Sequence, residues 1–203
     1  MIHACSGASG HTDAVVANII FGSAIPGDAE LRLCGDVRDG ARAVELGVSP
    51  WGNAITFASN GAKSIAVDPD PTRLAEVRSR AELAEVTVQC LQTDLADLGD
   101  ITSGTCDVVV AAQTLADVDD LSRLLRQVHR ILKPSMPFVI STPHPYATVS
   151  DDAPYGTGVR TVGEWFVALG RSNFRVDHLV ELGVTGSNPS PTTLILRARK
   201  EGS

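Results

Sequence analysis

The residues best placed for chemistry fall at intervals along the chain, each closing a short apolar run. Glu45 and Gly47 end the run Ala43–Leu46, Asp68 ends Ser64–Val67, and Asp94 follows Val86–Leu91. Ala111, Ala112 and Gln113 end Asp107–Ala112, and Thr142, Pro143 and His144 follow Phe138–Ser141. A carboxylate can accept from both vicinal hydroxyls of a ribose at once. Asp68 stands 23 positions after Glu45, near the roughly 20-residue interval that separates a glycine turn from such an acid. Asp94 can accept from an adenine amino group while Leu95 packs on the ring. Around Gly47 the chain reads ELGVSPWGN. Ser49-Pro50 predicts a helix start there, since Ser is a favoured N-cap and Pro a favoured first helical residue. A strand, a glycine turn and a helix N-terminus make an anion-receptive corner, read here as one end of a nucleoside-cofactor site. The plainer alternatives are an ordinary turn at Gly47, an N-cap or turn acid at Asp68, and a surface turn at Asp94.

His144, in STPHPY, brings to this rim the one side-chain type that exchanges protons readily near neutral pH, and it is the candidate catalytic base. Its alternative is a turn residue bonded to backbone. Tyr146, Tyr155 and Trp165 could form a substrate wall or simply pack. His129 reads as helix surface and His178 as structural.

These residues need strands and helices in alternation to bring them together, and the apolar pattern supplies it. The helix after the first strand is expected to run to about Asn60, closed by Gly61. Asp70-Pro71 starts another that carries Leu74, Val77, Ala81 and Ala84. Val108-Val109-Val110 reads as a strand buried on both faces. Val118–Leu132 has the firmest helical period, with Val118, Leu121, Leu124, Leu125, Val128 and Leu132 on one face. Thr161–Ser172 is expected to be helical with Trp165, Phe166 and Leu169 inward. Two final strands, Phe174–Leu182 and Thr193–Ala198, lack a helix between them and should pair antiparallel at one edge. Residues 1–40 read as a helical cap, with helices over Asp13–Phe21 and Asp28–Cys34, the second capped by Asp28. Gly7-Ala8-Ser9-Gly10 lacks both a preceding strand and a following Lys-Ser, and reads as a flexible terminus. The expectation is one domain over 1–203, a doubly wound, mostly parallel seven-stranded α/β sheet. In such sheets ligands bind beyond the carboxyl ends of the strands.

Of the 203 residues, 43% are hydrophobic and 20% charged, with a net charge of −7. That balance is globular and argues against nucleic acid as the main partner. Cys5, Cys34, Cys90 and Cys106 have neither paired nor metal-ligand spacing, which points to reduced thiols, no metal, and the cytoplasm. The opening MIHACSGASGHTD has no basic patch followed by an apolar core, so no secretory signal is expected. No apolar run approaches the ~20 residues that span a bilayer.

Taken in order, ELGVSPWGNAI, AVDPDP, QTDLADL, CDVVVAAQTLADVDDL and RQVHRILKPSMPFVIS resemble the class I S-adenosylmethionine-dependent methyltransferases, most closely their small-molecule branch. The resemblance spans about residues 28–200. It implies S-adenosyl-L-methionine as cofactor and a small-molecule acceptor, with no nucleic acid or membrane partner and room for a homodimer. It places the methionine end at Glu45, Gly47 and Ser49, the ribose at Asp68, and the adenine at Asp94 and Leu95. The backbone at Ala111–Gln113 would line the methyl-donor pocket. Ser49 and Trp51 stand where the family repeats glycine, and Gly52 comes one position late. Trp51 is expected to point away, into helix packing or a lid. Ser135-Met136 replaces a structural double glycine. This departure keeps open an alternative, a non-catalytic interaction or assembly module on the same fold. A nicotinamide-dependent oxidoreductase would need a Gly-x-Gly-x-x-Gly turn that the chain lacks.

Overall fold

In the computed structural model, which describes residues 18–38, 40–147, 149–150, 152–184 and 190–202, the alternation holds. In chain order the elements are α1 (Asp28–Leu31), β1 (Arg42–Leu46), α2 (Asn53–Ser59), β2 (Lys63–Asp68), α3 (Pro71–Leu83) and β3 (Val88–Gln92). They continue with β4 (Val108–Ala112), α4 (Leu121–Ile131), β5 (Pro137–Pro143), α5 (Val162–Arg171), β6 (Phe174–Leu182) and β7 (Thr193–Lys200). The seven strands form one sheet in the order β3-β2-β1-β4-β5-β7-β6. β3 through β5 run parallel, and β7 pairs antiparallel with both β5 and β6. The order reverses between β1 and β4, which is where a doubly wound sheet opens its crevice.

Alternation along each strand sorts the core onto two faces. Val44, Leu46, Val109, Ala111, Phe138 and Ile140 share one cluster with Leu124, Leu125, Val128 and Ile131 of α4 and with Trp165 and Leu169 of α5. Val108, Val110, Ala112 and Val139 point to the other face, against Phe57 of α2 and the N-terminal residues Ile19, Phe21 and Leu33. All five residues of β4 are buried. Each large aliphatic of α4 contributes about 1.5–3 kcal/mol by leaving water, so the apolar face and not helix propensity fixes that element.

Several boundaries move for local reasons. Asp120 accepts from the Arg123 amide at 2.8 Å and so starts α4 at Leu121, three residues later than expected. Asp70 caps α3 through Thr72 at 2.8 Å, as read from the sequence. α5 opens on a capping box between Thr161 and Glu164. Its inward residues are Trp165 and Leu169, whereas Phe166 is 59% exposed, a correction. Position 166 lies one 100° step from Trp165, outside the stripe that reaches the sheet.

Asp28 does not cap α1. It is the first residue of the helix, and its carboxylate turns to the far end, accepting from Leu33 and Cys34 amides at 2.7 and 3.0 Å. Of the helix expected over 13–21, residues 13–17 lie outside the described residues, as does Gly7–Gly10, and Asn18–Phe21 is not helical. Ile20 instead exchanges two hydrogen bonds with the Asn53 side chain at 2.9 and 2.8 Å. The Phe21 carbonyl accepts from Ser141. This strap ties the start of α2 to the end of β5. No helix among the described residues is long and apolar enough to cross a membrane.

Candidate active site

The turn after β1 is organised by Glu45. Its side chain is fully buried. Oε1 accepts from Ser49 Oγ at 2.6 Å and from the Ser49 and Asn53 amides at 3.1 and 3.2 Å, and Oε2 from the Ala54 amide at 2.8 Å. Burial pushes the Glu45 carboxyl above its ordinary value, and these hydrogen bonds oppose the shift without cancelling it. Of the other two orphan amides at this helix start, Ile55 bonds the Gly52 carbonyl at 3.0 Å and Gly52 the Ser49 carbonyl at 3.1 Å. All four orphan donors of the helix start are therefore satisfied within the chain. The helix N-terminus is no free anion corner, because the protein's own carboxylate fills it.

The helix also begins at Asn53 and not at Ser49–Pro50, a second correction. Residues 49–52 form a turn closed by the Gly52 amide on the Ser49 carbonyl at 3.1 Å. Proline suits the second position of such a turn as well as it suits a first helical turn. Gly52 takes φ 65°, so a glycine does serve this turn, one place late. A Cβ on Gly52 would meet the Arg80 guanidinium at 2.6 Å, and Arg80 donates to the Trp51 carbonyl at 3.2 Å. Trp51 packs against the core on the α2 face and lines neither cavity beside Gly47 and Ser49.

Gly47 has φ 77°, and a Cβ there would meet Thr114 Cβ at 2.4 Å. Thr114 is held in place by its hydroxyl, which donates to the Leu46 carbonyl at 2.6 Å. A Gly47→Ala substitution should cost about 2–5 kcal/mol, from left-handed strain plus the clash. Chemical denaturation measures it, and the double variant with Thr114→Gly should recover the clash part alone.

Asp68 is 1% exposed. Oδ2 accepts from the Val48 amide at 2.7 Å and Oδ1 from the Asp70 amide at 2.8 Å. Arg73 stands 3.5 Å from Oδ2. Each carboxylate oxygen can accept twice, so Asp68 holds the turn and keeps capacity for a ligand. Asp94 uses Oδ1 to accept from the Ala96 amide at 2.7 Å, and Leu95 beside it is nearly buried.

These residues meet. Gly47, Asp68, Asp94, Leu95, Thr114 and Arg73 line one cavity of about 360 Å³ at the carboxyl ends of β1, β2 and β3, closed on its far side by Asp117–Asp120. A second cavity of about 420 Å³ adjoins it through Arg73, Thr114 and Asp117, and Ser49 and Gln113 line it. A third, of about 330 Å³, adjoins the second through Ala116 and lies at the end of β5. The expected residues Gly47, Ser49, Asp68, Asp94 and Leu95 all reach this groove. Glu45 acts from behind the turn, and Ala111 is buried in the core on the α4 face. The residues that follow it, Gln113 and Thr114, line the groove instead. Gln113 has φ 61° and donates from its side chain to Ser141 at 3.1 Å.

His144 is 4% exposed and lines none of the three cavities. Its Nδ1 accepts from the Tyr146 amide at 3.1 Å, which leaves Nε2 to donate to Glu181 at 2.8 Å. Of the expected substrate wall, Trp165 lines the third cavity, while Tyr146 and Tyr155 line none of the three. Arg73, Thr114 and Asp117 were not legible as groove residues. The only signal was proximity to a strand end, Thr114 standing two residues beyond Ala112, the last of β4.

A family model described as a methyltransferase domain matches residues 44–140. A relative in Mycobacterium tuberculosis, found in two strains and described as a probable S-adenosylmethionine-dependent methyltransferase, is 35% identical over 101 residues. That match covers 50% of this chain and 35% of the relative, so the chain spans about a third of the relative's length. An S-adenosylmethionine-dependent methyltransferase from Mesorhizobium loti superposes with a TM-score of 0.69 at 24% identity, over 84% of this chain and 95% of that one. A similar structure from Listeria monocytogenes gives 0.70 at 18%, over 85% and 95%. Residues 44–140 are thus similar to a methyltransferase domain, on a sheet whose strand order and fold are those of S-adenosylmethionine-dependent methyltransferases.

Proposed function

We propose that this chain moves a methyl group from S-adenosylmethionine to a small-molecule acceptor in the groove along the sheet's carboxyl edge. The observation that carries the reading is the convergence of Gly47, Asp68, Asp94 and Leu95 on one cavity. The donor set fits the cofactor: Asp68 for two ribose hydroxyls, Asp94 for an adenine amino group, Leu95 as an apolar platform, and a glycine where side chains cannot enter. When bound, the cofactor supplies an electrophilic methyl carbon on a sulfonium. The chain contributes alignment of the acceptor with that carbon and exclusion of water. Glu45 and Ser49 hold the turn, and Gln113 and Thr114 carry the groove past β4. His144 is assigned to fixing the end of β5, because both ring nitrogens are engaged within the fold.

Calorimetric titration with S-adenosylhomocysteine tests this. Binding at micromolar levels is expected, and a flat isotherm at millimolar ligand overturns the reading. A second reading is a fold kept for assembly. Its support is Glu45 filling the α2 start and Thr114 standing over Gly47. It predicts that flat isotherm together with a stable complex.

A further inference from the structure

None of the residues expected to hold the cofactor lines the third cavity, and its lining is unlike the rest of the groove. Trp165 is almost wholly buried, and its Nε1 is the one buried side-chain nitrogen or oxygen among the described residues without a hydrogen-bond partner. A buried N–H left unpaired costs about 1–3 kcal/mol, and native structures rarely keep one without a use. Arg160 lies over the same indole, its guanidinium carbon 5.6 Å from the ring centroid. Two of its N–H groups fix the β4–α4 loop, on the Leu115 carbonyl at 3.0 Å and the Val118 carbonyl at 2.5 Å. It makes no salt bridge among the described residues, and further guanidinium donors are left over. Gly156 and Gly158 line the wall without side chains, and Thr142 closes it at the end of β5. The cavity thus offers one fixed cation, the Thr142 hydroxyl and room for a ring-sized molecule, against a wall in which an indole N–H is buried unpaired.

Resting on the methyl-transfer reading, we propose that this cavity is the acceptor subsite and that it seats a small organic monocarboxylate. A neutral amine gains nothing from Arg160, whereas a carboxylate is attracted by its guanidinium and, pressed against the Trp165 wall, is the kind of acceptor that the buried indole N–H lacks within the fold. The absence of a poised base fits the same class. Glu164 is the one carboxylate lining the cavity, and it is engaged by Thr161 of the capping box. The Thr161 backbone amide, the largest influence on it, holds its carboxyl below the ordinary value. A carboxylate needs no base. One of its oxygen lone pairs forms the bond to the methyl carbon, the carbon–sulfur bond breaks, and its electron pair neutralises the sulfonium. The products are a methyl ester and a thioether, and no proton is released.

The chain holds two tryptophans, so a Trp51→Phe protein reports on Trp165 alone. Its emission is titrated with benzoate and hexanoate and with the matched neutral probes benzamide and hexanamide, with and without S-adenosylhomocysteine. Saturable changes with the acids, and at least about tenfold weaker binding of the amides, are expected. Equal binding of acids and amides, or no change with any probe, overturns the proposal. Trp165→Phe, followed by calorimetry, should weaken benzoate about tenfold and leave S-adenosylhomocysteine binding unchanged. The two readings separate cleanly. Cofactor binding without an acid preference removes this proposal alone. An acid preference without cofactor binding upholds the carboxylate site and removes the cofactor reading.

Discussion

Replacing Asp68 with alanine should weaken S-adenosylhomocysteine binding by about 10²–10⁴-fold. Two hydrogen bonds from ribose hydroxyls to an ionised carboxylate are worth about 1.5–3 kcal/mol each, and about 1.4 kcal/mol is a factor of ten in affinity. The same substitution strips the Val48 and Asp70 amides of their acceptors at 2.7 and 2.8 Å, each unmet amide costing a further ~1–3 kcal/mol of stability where it stays buried. Asp68→Asn separates the two effects. It keeps one acceptor, for the Val48 amide, and gives up the charge and the acceptor of the Asp70 amide, so it should cost less stability than alanine while affinity still falls. Calorimetry gives the affinity, and urea denaturation gives the stability. Unchanged binding in Asp68→Ala would remove Asp68 from the site. Arg73, 56% exposed and 3.5 Å from Asp68, should matter far less to stability, because exposed pairs contribute little.

The fold was legible wherever one element carried a strong enough pattern by itself. The run Val108-Val109-Val110 announced a strand buried on both faces, and it lies at the sheet centre. The apolar stripe of Val118–Leu132 announced α4, and Asp120 only trimmed its start. That Asp68 and Asp94 line one cavity was legible because strand ends in a parallel sheet share one edge. What stayed hidden depended on contacts distant in sequence. Nothing near His144 shows that Glu181, 37 residues on, faces its Nε2. Nothing near Gly47 shows that Thr114 stands against it. The turn misled for a different reason. Ser49 and Pro50 suit both a helix start and a turn, and a buried carboxylate chose between them.

That carboxylate makes the last test. Glu45→Ala should destabilise the protein by about 3–5 kcal/mol, since it leaves three buried amides and the Ser49 hydroxyl without an acceptor, each unmet group costing about 1–3 kcal/mol. Against a typical total of about 5–15 kcal/mol this is severe. Glu45→Gln keeps the size and one acceptor oxygen but turns an NH₂ toward amide donors, so it should fall between wild type and alanine. The pH dependence distinguishes a buried acid from a mere space filler. Burial raises the Glu45 carboxyl in the folded chain, so over the interval above the unfolded value the folded state holds a proton that the unfolded state has lost. Stability falls with rising pH wherever the folded state binds more protons. The proton-linked contribution is complete below the unfolded value, about 4.3, and is lost as pH rises through the folded one. Glutamine cannot titrate. The stability advantage of wild type over Glu45→Gln should therefore narrow as pH rises through that interval, measured by urea denaturation of both proteins at matched pH. A gap that widens over the same interval would mean that the four hydrogen bonds outweigh burial and hold Glu45 as an anion.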